Sequence, residues 1–247
     1  MLLLNKNIGS LIEEDFVVAR ALHYLGVDFI ENANKSIIQL CKEQNLNLKA
    51  VLQTLDNFYQ RKESLHQQLD NYPLDLVIGY LKHAHHVFIK ERLPYILNLI
   101  NQLKSYQRNS VIEDLKMIFP VFVEDFIKHI YEEEDTVFQY VLDLDEVLKS
   151  DYSNISRFIY FNKEISINEI AEHHHDDDEL EGLRGMVQLL KDLKSRDLNL
   201  KLVIAELENF DLEMANHAKV EDEVLFPKAC ELENKFLKIS KLISQQN

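Results

Sequence analysis

Residues 198–229, LNLKLVIAELENFDLEMANHAKVEDEVLFPKA, decide how this chain folds. Val203, Leu207, Phe210, Met214, His217, Glu221 and Val224 follow at steps of three or four, the period that places side chains on one face of an α-helix. No Gly interrupts the run, and its only Pro, Pro227, comes near the far end. The stretch therefore reads as a long helix over 198–232, with a histidine and a glutamate one turn apart on its apolar stripe.

The same construction occurs upstream. Residues 109–148 read as a second long helix, on which Leu115, Ile118, Phe122 and Phe126 lead to His129, Glu133 and Val137. Two further amphipathic stretches, 73–105 and 166–194, bring the set to four. The first opens with Pro73 near its first turn and is expected to bend at Pro94. KSRDLN at 194–199 is too short for anything but an antiparallel reversal, whereas 151–166 is a weakly patterned connection. The expected fold class is all-α: an antiparallel four-helix bundle over 73–247, with ENKFLKISKLISQQN at 233–247 as a short extra helix. Before it, residues 1–60 read as a small helical domain, where Gly26 closes a helix through Leu11, Phe16, Ala19 and Leu22, and residues 61–72 as a polar connector.

Composition supports this reading. The 247 residues include 5 Gly and 4 Pro, against the roughly 30 that average usage of about 12% would give, which excludes a turn-rich sandwich or barrel. Lys and Arg number 27 against 42 Asp and Glu, a formal charge of −15 that repels phosphate backbones and anionic lipid. Nucleic-acid and membrane partners are therefore not expected. The longest apolar runs, LVIGYL at 76–81 and YILNLI at 95–100, fall short of the roughly 18 residues a membrane helix needs. MLLLNKNIGSLIEED at 1–15 lacks the basic start of a signal peptide, and Cys41 and Cys230 are too few for a disulfide framework. The expected compartment is the cytoplasm.

Chemistry gathers on the stripes. His129 with Glu133, and His217 with Glu221, form a His-x-x-x-Glu pattern twice, each pair on one helical face. Two carboxylates turned into an apolar core need a counter-charge. No Lys or Arg lies on either stripe near them, so a metal cation is the natural partner. Imidazole and carboxylate together suit first-row transition metals, and two equivalent His/Glu sets suggest two ions bridged by two carboxylates. The other two helices are expected to supply further ligands. In KHAHHVFIKERLP at 82–94, His86 shares a stripe with Leu76, His83, Ile89 and Leu93, and His85 shares another with Ile78, Leu81 and Phe88, so periodicity leaves the two open. In AEHHHDDDELEGLRGM at 171–186, His173 stands seven residues before Leu180 and ten before Leu183 and projects inward, and Asp176 to Asp178 read as a solvated stretch near a helix start.

These motifs resemble those of the hemerythrin-like HHE cation-binding domain, specifically the di-iron proteins implicated in repair of iron–sulfur centres. HHVFIKERLP at 85–94 is similar to the family's first motif, in which the second histidine is the ligand. HIYEEEDTVFQYV at 129–141 is similar to the second, with Gln139 where the family usually has Pro. EH at 172–173 followed by LEGLR is similar to the third, and HAKVEDEVLFPKA at 217–229 is the closest match. The resemblance implies a metal site of His86, His129, Glu133, His173, His217 and Glu221. It also implies a cofactor of two iron ions, oxo-bridged, and a stress-response role in restoring clusters damaged by nitric oxide or oxidants, with damaged iron–sulfur proteins as partners. A hemerythrin-like binder or sensor of oxygen or nitric oxide is the alternative, and a redox enzyme acting on nitric oxide or peroxide a third reading. IGSLIEEDFVVARALHYLGVDF at 8–29 is similar to the small domain preceding the HHE domain in such proteins. There the chain departs from the family: Ile30, Glu31, Asn32 and Ala33 stand where the family carries Cys-Cys-Gly-Gly. Docking or homodimerisation is what that domain would then do.

Overall fold

The structure is a computed structural model that describes residues 6–60, 69, 71–103, 110–150, 155, 158, 166–174 and 180–246. It is all-helical, with no strand among the described residues. Twelve α-helices can be numbered in chain order: α1 (Ile8–Glu14), α2 (Val17–Tyr24), α3 (Ile37–Glu43), α4 (Leu48–Gln60), α5 (Leu74–Val87), α6 (Leu93–Gln102), α7 (Ser110–Glu133), α8 (Gln139–Lys149), α9 (Ile167–His174), α10 (Glu181–Asp192), α11 (Leu198–Val220) and α12 (Phe226–Gln246). No described helix is long and apolar enough to cross a membrane.

Three of the expected long helices run unbroken only because a π-helical turn joins their halves: Phe88–Arg92 between α5 and α6, Glu134–Phe138 between α7 and α8, and Glu221–Leu225 between α11 and α12. A π-turn bonds i to i+5 and takes up one extra residue. Pro94 and Pro227 each stand two residues beyond such a turn, and each lacks the N–H that the regular i to i−4 ladder requires. The bend expected at Pro94 thus takes the form of a widened turn just before it. Gln139 shows that the middle turn forms without a proline.

Two expectations are adjusted. The tail is no separate helix, because α12 continues from Phe226 to Gln246 with no Gly, Pro or capping residue to stop it at 232. The stretch 166–194 is described as α9 and α10, and the Asp176 to Asp178 run lies outside the described residues.

The chain divides into two compact units, each built from three stretches. The first comprises residues 1–64, 92–118 and 183–210. Within it, Asn7 caps α1 by accepting the Ser10 N–H at 2.7 Å, and Ser36 and Gln39 form a reciprocal capping box on α3. Gly26 turns the chain after α2 at φ +73°, in the left-handed region that side chains resist. Gly9 lies against the 30–35 turn, its N–H donating to Ala33 O at 2.8 Å. A Cβ there would come within 3.3 Å of that oxygen. Glu206, fully buried, accepts a guanidinium N–H from Arg20 and another from Arg92, both at 2.8 Å.

The second unit comprises residues 65–91, 119–182 and 211–247. Its apolar core draws Val77, Ile78 and Leu81 from α5, Val141 and Leu144 from α8, and Phe226 and Ala229 from α12, with Phe138, Val224 and Leu225 from the π-turns. Glu233 fastens the start of α9 to this core, accepting the Ile167 N–H at 3.1 Å and the Tyr140 hydroxyl at 2.9 Å.

Candidate metal centre

The candidate centre lies wholly in the second unit. The buried series on α5 is Leu74, Val77, Ile78, Leu81 and His85, so the apolar pattern itself carries His85 inward to 2% exposure. On α11 the series runs to His217, 6% exposed, and Glu221, 2% exposed, opens the π-turn that follows. Glu133 closes α7 at 9% exposure. These four side chains offer two imidazole nitrogens and two carboxylate oxygens that all lie within 4.8 Å of one another.

The rings face each other. His85 Nε2 lies 2.9 Å from His217 Nε2 and 3.4 Å from Glu133 Oε2, and His217 Nε2 lies 2.9 Å from Glu221 Oε1. Phe138 stacks on His85 with centroids 5.6 Å apart, and Phe88 meets His217 edge-on at 5.6 Å. The two aromatic rings restrict both imidazoles and shield the centre from water.

Protons follow from these partners. His85 Nδ1 lies 2.8 Å from Glu134 Oε1, and a carboxylate there accepts an N–H, which leaves the Nε2 lone pair facing the cluster. Burial, and next the facing His217, lower the pKa of His85 from 6.5 to about 4, against the pull of Glu134 and Glu221. The ring is thus neutral at physiological pH, the state a metal ligand requires. His217 Nδ1 is buried with no hydrogen-bond partner among the described residues, so all the polar bonding of that ring is directed at the cluster.

This donor set fits a divalent transition metal. Bonds of about 2.1 Å to a tetrahedral ion separate neighbouring ligand atoms by about 3.4 Å, within the range over which these four atoms are spread. Nitrogen and oxygen donors without thiolate suit borderline and hard ions. Each of the three helical runs also has its π-turn beside its ligand, a feature frequent at functional sites.

Of the six residues expected at the site, the structure brings Glu133, His217 and Glu221 together and adds His85. His86 is exposed and stands outside the group. Its placement follows from the helix that carries it: the buried series of α5 is Leu74, Val77, Ile78, Leu81 and His85, whereas Leu76, on the stripe read for His86, is 55% exposed. His129 is exposed as well, and the inward place read for it belongs to Ile130, 1% exposed. The side chain of His173, near the end of α9, lies outside the described residues. Sequence reasoning missed Glu134 altogether. The signal for His85 was present in its shared stripe with Ile78, Leu81 and Phe88.

In comparisons with known proteins, no family model matches the chain, and no curated protein matches it.

Proposed function

We propose that this protein is a non-haem iron protein that helps restore iron–sulfur clusters damaged by nitric oxide or oxidants. In this reading His85, Glu133, His217 and Glu221 would hold iron, as part of a di-iron centre, within a bundle of four long antiparallel helices. The observation that carries it is the convergence of two facing imidazole nitrogens and two carboxylate oxygens, from buried side chains and within 4.8 Å of one another. A cation at that point would be met by two neutral imidazoles and two negative carboxylates at once. Iron, when bound, would supply one-electron chemistry, and the chain's own residues would fix the ligands, exclude water and keep His85 neutral. The choice of iron and the repair role come from the resemblance of HHVFIKERLP, HIYEEEDTVFQYV and HAKVEDEVLFPKA to hemerythrin-like repair proteins.

A second reading, a sensor of oxygen or nitric oxide, is favoured by the turn at 28–33. That turn is held without thiols: Asp28 Oδ1 accepts the N–H groups of Ile30 and Glu31 at 3.0 Å, and Asn32 Nδ2 donates to Asp28 O at 2.6 Å. A self-contained polar turn suits docking to a partner.

The test is metal analysis and an optical spectrum of protein purified from iron-replete cells, followed by incubation with a nitrosylated iron–sulfur enzyme. About two irons per chain and recovery of the client's activity are expected. Reversible gas binding without recovery would replace repair by sensing, and protein without bound metal would overturn both.

A further inference from the structure

Two consecutive glutamates treat one imidazole differently. Glu133 ends α7 and places Oε2 3.4 Å from His85 Nε2, whereas Glu134, the first residue of the π-turn, places Oε1 2.8 Å from His85 Nδ1. The ring is thus bracketed, one carboxylate on each nitrogen. Glu134 cannot share the ion through the oxygen it commits to Nδ1, since Nδ1 and Nε2 point to different sides of the imidazole. Its other oxygen, Oε2, lies 3.9 Å from the ammonium of Lys82, one turn before His85 on α5. Glu134 is about a quarter exposed and Lys82 more so, so the carboxylate stands between the buried ring and a cation at the surface.

We propose that Glu134 is a positioning residue of the metal centre: by accepting the Nδ1–H of His85 it fixes the ring's tautomer and rotation so that Nε2 is presented to the ion. The proposal rests on the metal reading above. An imidazole has two tautomers and can flip about its Cβ–Cγ bond. The stack on Phe138 orients the plane of the ring but leaves open a half-turn about Cβ–Cγ, which restores the same plane, and the hydrogen bond at Nδ1 favours one of the two orientations. A carboxylate there also makes the ligand more basic, because electron density withdrawn by the metal through Nε2 is returned through the charged hydrogen bond. The second oxygen of Glu134 faces Lys82, on the solvent side of the ring. The sequence EEED at 132–135 thus holds a ligand and its supporting partner side by side, and the widened turn that begins at Glu134 accompanies the change of direction between them.

Cobalt(II) is the probe, since its visible absorption reports ligand geometry and its affinity can be read by competition with a chelator. The full chain is compared with Glu134→Gln, Glu134→Ala and, as a neighbouring control, Glu132→Gln, which alters an exposed residue paired with Lys128. The Ala variant is expected to bind cobalt about 10 to 100-fold more weakly, with a changed visible spectrum. The Gln variant, nearly isosteric and still able to accept the Nδ1–H through its amide oxygen, should keep the native helix content and fall between, so that the Ala variant decides whether the acceptor matters and the Gln variant separates the acceptor from its charge. Glu132→Gln should match the wild type. A Glu134→Ala protein that keeps the native helix content and shows wild-type affinity and spectrum would overturn the positioning role alone. A wild type that binds no cobalt would overturn the metal reading and this role with it.

Discussion

His85 and His217, 132 residues apart in sequence, face each other with their Nε2 atoms 2.9 Å apart. Two neutral imidazoles can share one proton at that distance but cannot both present lone pairs there without repulsion. Glu133 and Glu221 close the same space with negative charge. A cation held between the rings would remove the conflict.

Replacing His85 by Ala should therefore abolish tight metal binding, whereas His86→Ala should leave metal content within about a tenth of the wild type. Adjacent helical residues point about 100° apart, so the exposed His86 cannot take over the vacated position without rotating α5 against its own buried stripe. Metal per chain, measured after dialysis alongside circular dichroism, checks this. An empty His86→Ala protein beside a loaded His85→Ala protein would reverse the assignment.

The metal-free protein should lose stability as pH falls from about 6.5 to about 4. His85 has its folded pKa lowered to about 4 from 6.5, so within that window the unfolded chain binds a proton that the folded one refuses. Stability then rises with pH, and what is present at neutral pH is lost towards pH 4. A loss of about 1 to 3 kcal/mol is expected from this group. Urea midpoints at pH 7, 6, 5 and 4 for wild type and His85→Gln check it, with the variant showing the shallower slope.

What the sequence reveals of this site depends on how far the α-helical period holds. Along 203–221 no proline or widened turn intervenes, and the stripe reaches His217 and Glu221 in phase. At 85–86 the period fails as a guide, because the residues beyond the π-turn, Leu93 and Ile96, are one position out of step with those before it. At 129–130 two series fit equally well. Both use Leu115, Phe126, Glu133 and Val137; one continues through Ile118 and His129 and the other through Phe119 and Ile130. Phe119 and Ile130 are the buried pair, each 1% exposed, and the mixture of apolar residues around Pro120 conceals the choice. Glu134 had no pattern to announce it, since its role depends on a hydrogen bond across 49 residues.

Glu206→Ala should be among the most destabilising single changes in the first unit. Its carboxylate is fully buried and accepts hydrogen bonds from both Arg20 and Arg92, the latter 3% exposed. Removing one member of a buried ionic group leaves charge without its counter-charge, at about 3 to 5 kcal/mol. Chemical denaturation of the metal-free protein measures the loss, and a change below about 1 kcal/mol would show that the arginines find other partners at little cost.

Glu221→Gln separates metal binding from folding. The amide keeps the shape and one acceptor oxygen of Glu221 but removes a negative charge that is 2% exposed and crowded against His217 and the carboxylate of Glu133. In the metal-free protein that charge stands close to a second carboxylate, so the variant should melt no lower than the wild type and up to about 2 to 4 °C higher, the shift that about 1 kcal/mol produces in a chain of this size. With metal the order should reverse. The wild type gains stability in proportion to the logarithm of metal concentration over its dissociation constant, whereas the variant, short of an anionic ligand, gains much less. Melting curves of both proteins, each with chelator and with added iron(II) under anaerobic conditions, give the four values required. Equal gains on adding metal would remove Glu221 from the centre, and a metal-free variant far less stable than the wild type would show that its carboxylate is needed by the fold instead.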